Sequence, residues 1–341
     1  MNKMQQILSK YPKSQIFVLT DEHVAQLLPM LGLSCYPTLA LPAGEEHKTL
    51  ATTERVWRFL LEHEATRSAL LINVGGGVVT DLGGFAASTY KRGIDYVNIP
   101  TTLLAMVDAA SGGKTGIDYD GLKNVIGLFR APVRTIIDTR LLATLPAREL
   151  LSGYAEMLKH ALIADAEEWK RLLALDIDTL DPTAHAFRER IVASMAIKDR
   201  IVAADPEEKG LRKALNFGHT IGHALESLSI ETGGKDSARV LTHGEAVLYG
   251  LVAELYLSHV QLGLPSEVIT QLSHCMVENY GRISVSCRRY ERLLEIMQQD
   301  KKNASPEAIN FTLLKQVGDP VINRIASRDE IFEALDYLFS I

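Results

Sequence analysis

Three of the chain's ten histidines fall close together, at His219, His223 and His243. The motif GHTIGH sets His219 and His223 four residues apart. On a helix both then project from one face, one turn apart. Gly218 and Gly222 flank them and leave room for something close to the backbone. His243 opens LTHGEAV, which reads as the entry to a further helix. Helix, loop and helix, with histidines at both ends, suits one metal ion with open coordination positions. Imidazole donors favour Zn, Fe, Ni or Cu over Mg or Ca. A lone histidine is more often a core or capping residue, but an HxxxH pair joined by a third histidine favours metal.

A carboxylate is the obvious missing ligand. SGYAEMLKHAL places Glu156 among apolar and small residues, with Lys159 three later on the same helical face. A bare buried charge is costly, so Glu156 needs a partner. A metal ion supplies one, and a helical ion pair with Lys159 supplies one equally well.

LLINVGGGVVTDLGGFAA reads as strand, glycine turn and helix. Such a turn lets backbone approach a phosphate, and the helix N-terminus adds free N–H groups and a positive dipole. A nucleotide pyrophosphate fits it. The spacing is not GxGxxG, and a tight turn without ligand fits as well.

Basic residues gather in related places: Arg92 in YKRG, Lys114 in SGGKT, Lys123 in GLKN, Lys198 in AIKDR, Arg212 in GLRKALNFGH, and Lys301 and Lys302 in DKKN. Lys114 and Lys123 read as parts of Gly-rich loops. Any one of these would ordinarily be a solvated surface charge. In a chain of net charge −6, their coincidence with the glycine and histidine motifs points to a phosphorylated, anionic substrate.

The elements that must hold these groups fall into two halves. Strand-like runs at Gln15–Thr20, Thr38–Pro42, Ser68–Val74, Asp95–Pro100 and Val133–Asp138 alternate with helical stretches such as Leu50–His63. That alternation predicts a Rossmann-like, mainly parallel, doubly wound sheet. Beyond Leu145-Pro146 the chain reads as helices at Arg148–Ile163, Ala184–Val202, Leu211–Leu228 and Gly244–Val260, with one late strand at Ile309–Leu314. The division predicts a nucleotide-binding α/β domain over 1–145 and an α-helical metal- and substrate-binding domain over 146–341. Loops are expected at Ile230–Ala238 and Asp300–Ala308.

The chain has 341 residues, 47% hydrophobic and 23% charged, enough for a large core. The negative charge argues against a nucleic-acid partner. Cys35, Cys275 and Cys287 have no metal-type spacing and are too few for a disulfide framework, which suits a reducing compartment. No apolar stretch suggests a signal peptide or a membrane span, so a cytoplasmic protein without a membrane partner is expected.

Taken in order, GGGVVTDLGGFAASTYKRG, IPTTLLAMVDAASGGKTGID, GLKNVIGLF, LPARELLSGYAEMLKHALI, LRKALNFGHTIGHALE, HGEAV and DKK resemble the 3-dehydroquinate synthases, over roughly residues 42 to 303. The resemblance implies a dehydroquinate synthase-like fold and a carbon–oxygen lyase of the shikimate pathway, which leads to the aromatic amino acids. The implied reaction converts 3-deoxy-D-arabino-heptulosonate 7-phosphate to 3-dehydroquinate and phosphate. It runs through transient oxidation by NAD, β-elimination, re-reduction and intramolecular aldol closure. Catalytic NAD, Zn2+ or Co2+, and a homodimer are implied with it.

The resemblance also implies roles. Glu156, His219 and His243 look like the metal ligands, and His223 like a substrate and proton-relay residue. Lys159, Lys198, Asp108, Asn216 and Arg212 resemble the rest of the catalytic pocket. Lys114, Asn124 and Lys301 resemble substrate-binding residues, and Arg92 the arginine that reaches the neighbouring subunit's phosphate site. Asp21, Glu45, Lys48, Gly76, Gly77, Asp81, Thr101, Thr102, Lys123, Thr144, Leu145 and Glu149 stand at positions that bind NAD. Two rivals share the architecture: another sugar-phosphate cyclase, and a metal-dependent polyol or alcohol dehydrogenase. The dehydrogenases generally use Asp as the first metal ligand and lack the lysine-rich pocket.

Overall fold

The run LLINVG, Leu70–Gly75, forms a strand buried along its whole length, as a strand covered on both faces must be. It lies in a computed structural model that describes residues 3–120, 122–233, 240–299 and 309–341 of the chain. The strands in chain order are β1 (Ile16–Asp21), β2 (Thr38–Leu41), β3 (Leu70–Gly75), β4 (Asp95–Pro100), β5 (Lys114–Tyr119), β6 (Leu122–Phe129), β7 (Arg134–Thr135), β8 (Asn310–Gln316) and β9 (Asp319–Ile325). The chain divides into two compact units, Met1–Leu145 with Pro182–Arg188, and Pro146–Asp181 with Glu189–Ile341.

The first unit is built on a five-stranded sheet in the order β2-β1-β3-β4-β7, with every pairing parallel. The chain order reverses between β1 and β3, so the carboxyl ends of those two strands, Asp21 and Gly75, flank the switch point where open α/β sheets bind ligands. The helices here are α1 (Lys3–Leu8), α2 (Leu28–Leu31), α3 (Leu50–Glu62) and α4 (Gly77–Thr89). Thr49 caps α3 by accepting from the Thr52 amide. Val56, Phe59 and Leu60 of α3 and Leu82 and Phe85 of α4 pack with Phe17, Leu19 and Leu71 into one core. Each such side chain contributes about 1.5–3 kcal/mol by burial.

The segments carrying Lys114 and Lys123, expected as loops, are instead strands: β5 and β6 form an antiparallel hairpin outside the main sheet. Gly116 and Gly127 face each other in its register, and a Cβ at Gly127 would come within 2.2 Å of Thr115 O. The glycines that weaken the strand pattern in the sequence are therefore the residues that let the two backbones pair.

The second unit is mostly helical: α5 (Ala147–Ala164), α6 (Ala166–Leu173), α7 (His185–Ala204), α8 (His219–Gly233), α9 (His243–Leu262), α10 (Ser266–Asn279), α11 (Tyr290–Gln298) and α12 (Arg328–Ser340). The first residues of α7 group with the first unit. β8 and β9 form an antiparallel hairpin, of which only the first strand was visible in the sequence. The central element is α9, nearly continuously buried from Gly244 to Ser258, because α5, α8, α10, α12 and β8 all pack on it. A helix apolar all round is a buried helix.

The helix expected over Leu211–Leu228 is two elements. A 3-10 turn covers Leu211–Asn216, the chain breaks at Phe217-Gly218, and α8 begins at His219. Gly218 takes φ +79, a left-handed conformation that only glycine adopts freely. The loop expected at Ile230–Ala238 starts late, since α8 runs to Gly233; residues 234–239, and the loop expected at Asp300–Ala308, lie outside the described residues. No described helix is long and apolar enough to cross a membrane.

Candidate metal centre and nucleotide loop

Glu156, His219 and His243 come from three different helices, α5, α8 and α9. Each offers one ligand atom, and those atoms all lie within 4.8 Å of one another. The helices can approach this closely because glycine lines their contacts. A Cβ at Gly222 would meet Ala246 O at 2.9 Å, one at Gly250 would meet Gly218 O at 2.0 Å, and one at Gly244 would meet Ser152 O at 2.0 Å. What the glycines beside the histidines make room for is the backbone of α9. His243 is set at the first position of α9 by a capping box between Thr242 and Glu245. Arg148 braces that turn by donating to both Glu245 oxygens, at 2.8 and 2.6 Å.

The ring nitrogens are sorted as a metal site requires. His219 Nδ1 lies 3.1 Å from Phe217 O, and His243 Nδ1 lies 3.7 Å from Glu226 Oε2. The Nε2 atoms of both rings face Glu156 Oε1, at 3.5 and 3.3 Å. Anchoring Nδ1 on a carbonyl or a carboxylate fixes the tautomer and aims the Nε2 lone pair. The His223 ring centroid is 5.1 Å from that of His219 and 5.9 Å from that of His243.

Glu156 is wholly buried, and neither carboxylate oxygen makes a hydrogen bond of acceptable geometry. Lys159 Nζ lies against its Oε2. Burial alone would raise the Glu156 carboxyl, but Lys159, His243 and His219 outweigh it and hold the group well below the usual carboxylate range. Burial and Lys159 push the His219 imidazole well below its ordinary value, so it is neutral. Burial also opposes charge on His243, but Glu156 and Glu226 overcome it and push the pKa up to about 10. His243 thus carries a proton between two carboxylates, Glu156 and Glu226, the place a bound cation would take. An anionic carboxylate with two anchored imidazoles fits Zn2+ or Co2+, and the under-bonded Glu156 oxygens supply the donors.

The second unit also carries the other residues singled out after residue 146. Lys159, Lys198 and Arg212 are buried. Arg212 donates to Pro206 O at 2.6 Å, and its amide, with those of Lys209 and Gly210, is held by the Asp205 carboxylate. Asn216 Nδ2 donates to Glu208 Oε1 at 2.9 Å. Lys301 lies outside the described residues. Glu226, Glu208 and Glu254 were missed by the sequence reading. Glu226 carried a signal, because it stands seven residues after His219 and three after His223 on the same helix face. Nothing local marks the other two.

In the first unit, β3 ends in the glycine turn, Gly76 caps α4, and α4 begins at Gly77. A Cβ at Gly76 would sit 3.1 Å from Thr102 Cγ2, and the Thr101 amide donates to Gly75 O at 3.0 Å. Thr101 and Thr102 thus close on the turn, and the missing side chain at Gly76 leaves the cradle a phosphate needs. Thr80 returns its hydroxyl to the Gly76 and Gly77 carbonyls.

Lys48 is buried beside this turn and donates to Asp81 Oδ2 at 2.8 Å and Asn124 Oδ1 at 2.6 Å, with Glu45 at 3.8 Å. Burial would lower the Lys48 pKa, but Asp81 and Glu45 raise it above its ordinary value. The structure therefore gathers Glu45, Lys48, Asp81 and Asn124, although the resemblance assigns Asn124 to substrate and the other three to nucleotide. Asn124 sits at φ +52, held by its amide on Asp118 at 2.7 Å. Asp21, at the end of β1, accepts from the His23 and Val24 amides. Asp108 lies on a short π-turn. Lys114, Lys123 and Arg92 are exposed, and Arg92 takes φ +68. Thr144 and Leu145 close the first unit's last 3-10 turn, whereas Glu149 belongs to the first turn of α5 in the second unit.

A family model described as 3-dehydroquinate synthase N-terminal matches residues 38–152, and one described as 3-dehydroquinate synthase C-terminal matches residues 153–303. A 3-dehydroquinate synthase of Parabacteroides distasonis is 44% identical, over 98% of this chain and 94% of that protein. Among solved structures, 2-epi-5-epi-valiolone synthase from Streptomyces hygroscopicus subsp. jinggangensis, with NAD+ and Zn2+ bound, superposes with a TM-score of 0.83 at 26% identity, over 97% of this chain and 92% of that one. A 2-deoxy-scyllo-inosose synthase complexed with carbaglucose-6-phosphate, NAD+ and Co2+ matches with a TM-score of 0.82 at 23% identity, over 97% and 94%.

Proposed function

The chain belongs to the 3-dehydroquinate synthase family, and on that footing we propose that it converts 3-deoxy-D-arabino-heptulosonate 7-phosphate to 3-dehydroquinate and phosphate, as an NAD- and divalent-metal-dependent carbon–oxygen lyase of the shikimate pathway. One observation carries the reading: Glu156, His219 and His243 converge from three helices with both imidazoles aimed by their Nδ1 partners. When bound, NAD supplies a reversible hydride acceptor and Zn2+ or Co2+ a Lewis acid. Glu156, His219 and His243 hold the metal, and a set of three protein donors is the pattern of a catalytic centre, not a structural one.

The remaining residues bind, orient and move protons. His223 shares the face of α8 with His219 and carries a proton to and from the substrate. Lys159 and Lys198 put positive charge beside the reacting oxygens, and Asp108 contributes a carboxylate to the same catalytic set. Arg212 and Asn216, held by the Asp205 and Glu208 turn, bind the substrate's carboxylate and hydroxyls, for which a planar guanidinium is suited. Lys114, Asn124, Lys301 and an Arg92 from a second subunit of a homodimer bind the phosphate, and that anchoring orients the reacting carbons. In the first unit, Gly76 and Gly77 cradle the pyrophosphate of NAD. Asp21, Glu45, Lys48, Asp81, Thr101, Thr102, Lys123, Thr144 and Leu145, with Glu149, complete its contacts. The free cysteines suit a cytoplasmic enzyme.

The test is a single incubation with the heptulosonate phosphate, NAD and Zn2+. The expected result is phosphate and 3-dehydroquinate in equal amounts with no accumulation of NADH. Steady NADH formation from simple alcohols, without phosphate release, refutes the proposal in favour of a dehydrogenase. The sequence relative named above is a 3-dehydroquinate synthase, which disfavours both rival chemistries.

A further inference from the structure

Glu254 is fully buried on α9. Its Oε2 accepts from the Gly218 amide at 2.7 Å, and its Oε1 from the Thr220 and Ile221 amides at 3.1 and 3.2 Å. These belong to the amides that the first turn of a helix leaves without intrahelical acceptors. Capping usually comes from the residue just before the helix. Here a charged carboxylate reaches in from a neighbouring helix, and bonds to an ionised acceptor are roughly twice as strong as neutral ones.

The peptide that joins Phe217 to Gly218 is the point of interest. Its N–H goes to Glu254 Oε2, and its carbonyl receives His219 Nδ1 at 3.1 Å. One rigid, planar group is therefore held at both ends, by a carboxylate on one side and a ring nitrogen on the other. Drawing on the N–H polarises the amide and makes its oxygen a better acceptor, as in other hydrogen-bonded chains. We infer that Glu254 is a positioning residue of the metal centre: through the Phe217–Gly218 peptide it holds His219 as the Nδ1–H tautomer with Nε2 turned toward Glu156. The inference rests on His219 being a metal ligand. Glu254 plays this part from a fully buried position on α9, and its sequence surroundings, VAELY, give no hint of it.

An ordinary helix cap would stabilise α8 and leave metal affinity unchanged. Glu254→Gln separates the two roles, because the amide keeps the volume and one carbonyl acceptor but loses the charge and the second acceptor. The full chain is stripped of metal, checked for native circular dichroism, and titrated with Co2+ against a competing chelator. Nitrogen-15 spectra of labelled histidine report the tautomer of His219.

Expected for Glu254→Gln are Co2+ affinity lowered tenfold or more, an altered Co2+ visible spectrum, and a mixed tautomer at His219. A folded Glu254→Gln that matches the parent in affinity, spectrum and tautomer overturns the inference. So does an Nε2–H tautomer at His219 in the unmodified, metal-free protein, a measurement that needs no variant to fold. His219→Ala is the companion control. If it binds Co2+ as the parent does, the ligand assignment falls and the inference with it. If it loses Co2+ while Glu254→Gln does not, only the inference falls.

Discussion

Gly250→Ala puts the backbone contact between α8 and α9 to the test. In an exposed helix this change is favourable by about 1 kcal/mol. Here the new methyl would meet Gly218 O at 2.0 Å, Gly222 N at 2.7 Å and Gly218 C at 3.0 Å, all backbone atoms. None can rotate aside, so the helices must part by about 1 Å to restore ordinary van der Waals separation. Forcing a methyl into a close-packed contact costs about 1–3 kcal/mol, which outweighs the propensity gain. The larger effect falls on the ligands. Gly218 precedes His219 directly, and bonds to a metal tolerate only about 0.2 Å of error. Affinity for Zn2+ should drop at least tenfold, about 1.4 kcal/mol, with a lower urea midpoint beside it. Gly263→Ala is the matched control. Gly263 has φ +73 and open space around its Cβ position, so alanine there adds about 1 kcal/mol of backbone strain and no collision. It should lower stability and leave Zn2+ affinity alone. A Gly250→Ala protein as stable as the parent, with unchanged Zn2+ affinity, would refute the view that this crossing sets the metal centre.

Other outcomes follow from the same geometry. Chelation should abolish turnover and added Zn2+ or Co2+ restore it, whereas full activity in metal-free protein would sink the proposed chemistry. Metal analysis should show Glu156→Gln losing metal and His223→Ala losing rate with metal still bound; the opposite pattern reverses the two assignments. Lys48→Met, which deprives Asp81 and Asn124 of their shared cation, should weaken NAD binding about tenfold or more by calorimetry, with Zn2+ affinity unaffected. Burial pushes the Cys275 thiol from 9.0 up to about 11. Folding therefore favours the neutral thiol, a contribution fully present below pH 9 and lost as pH rises through about 11. Between those limits the urea midpoint of the parent should fall more than that of Cys275→Ala. At pH 8 an alkylating reagent should modify exposed Cys35 and Cys287 in the native protein and Cys275 only after unfolding.

The α/β half was legible because β3 is apolar but for Asn73 and its glycine turn is unmistakable, so period and punctuation agreed. The candidate ligands were legible because histidine pairs and a carboxylate in an apolar helix are unusual in type as well as in spacing. What escaped was set by distance along the chain or by glycine. Leu211–Leu228 keeps a helical rhythm through Phe217-Gly218, and a left-handed glycine gives no warning inside such a rhythm. The β5–β6 hairpin was hidden because Gly112, Gly113, Gly116 and Gly127 dilute the alternation that marks strands. Glu254 acts on Gly218 from 36 residues away, and Asn124 meets Lys48 across 76. No local pattern encodes a pairing of that span, which exists only once the chain has closed upon itself.

The burial of α9 on every side ties metal occupancy to the life of the whole second unit. A helix buried nearly continuously from Gly244 to Ser258 cannot peel away by itself, so His243 is held at its place by the packing of the whole unit. A bound ion then braces the whole unit, and its loss lowers the unit's stability without opening it. By mass action, free metal at a hundred times its dissociation constant adds about 2.7 kcal/mol against global unfolding, roughly a hundredfold fewer open molecules at any moment. In a metal-starved cell the protein would thus be cleared faster by proteases, with its abundance falling alongside its activity.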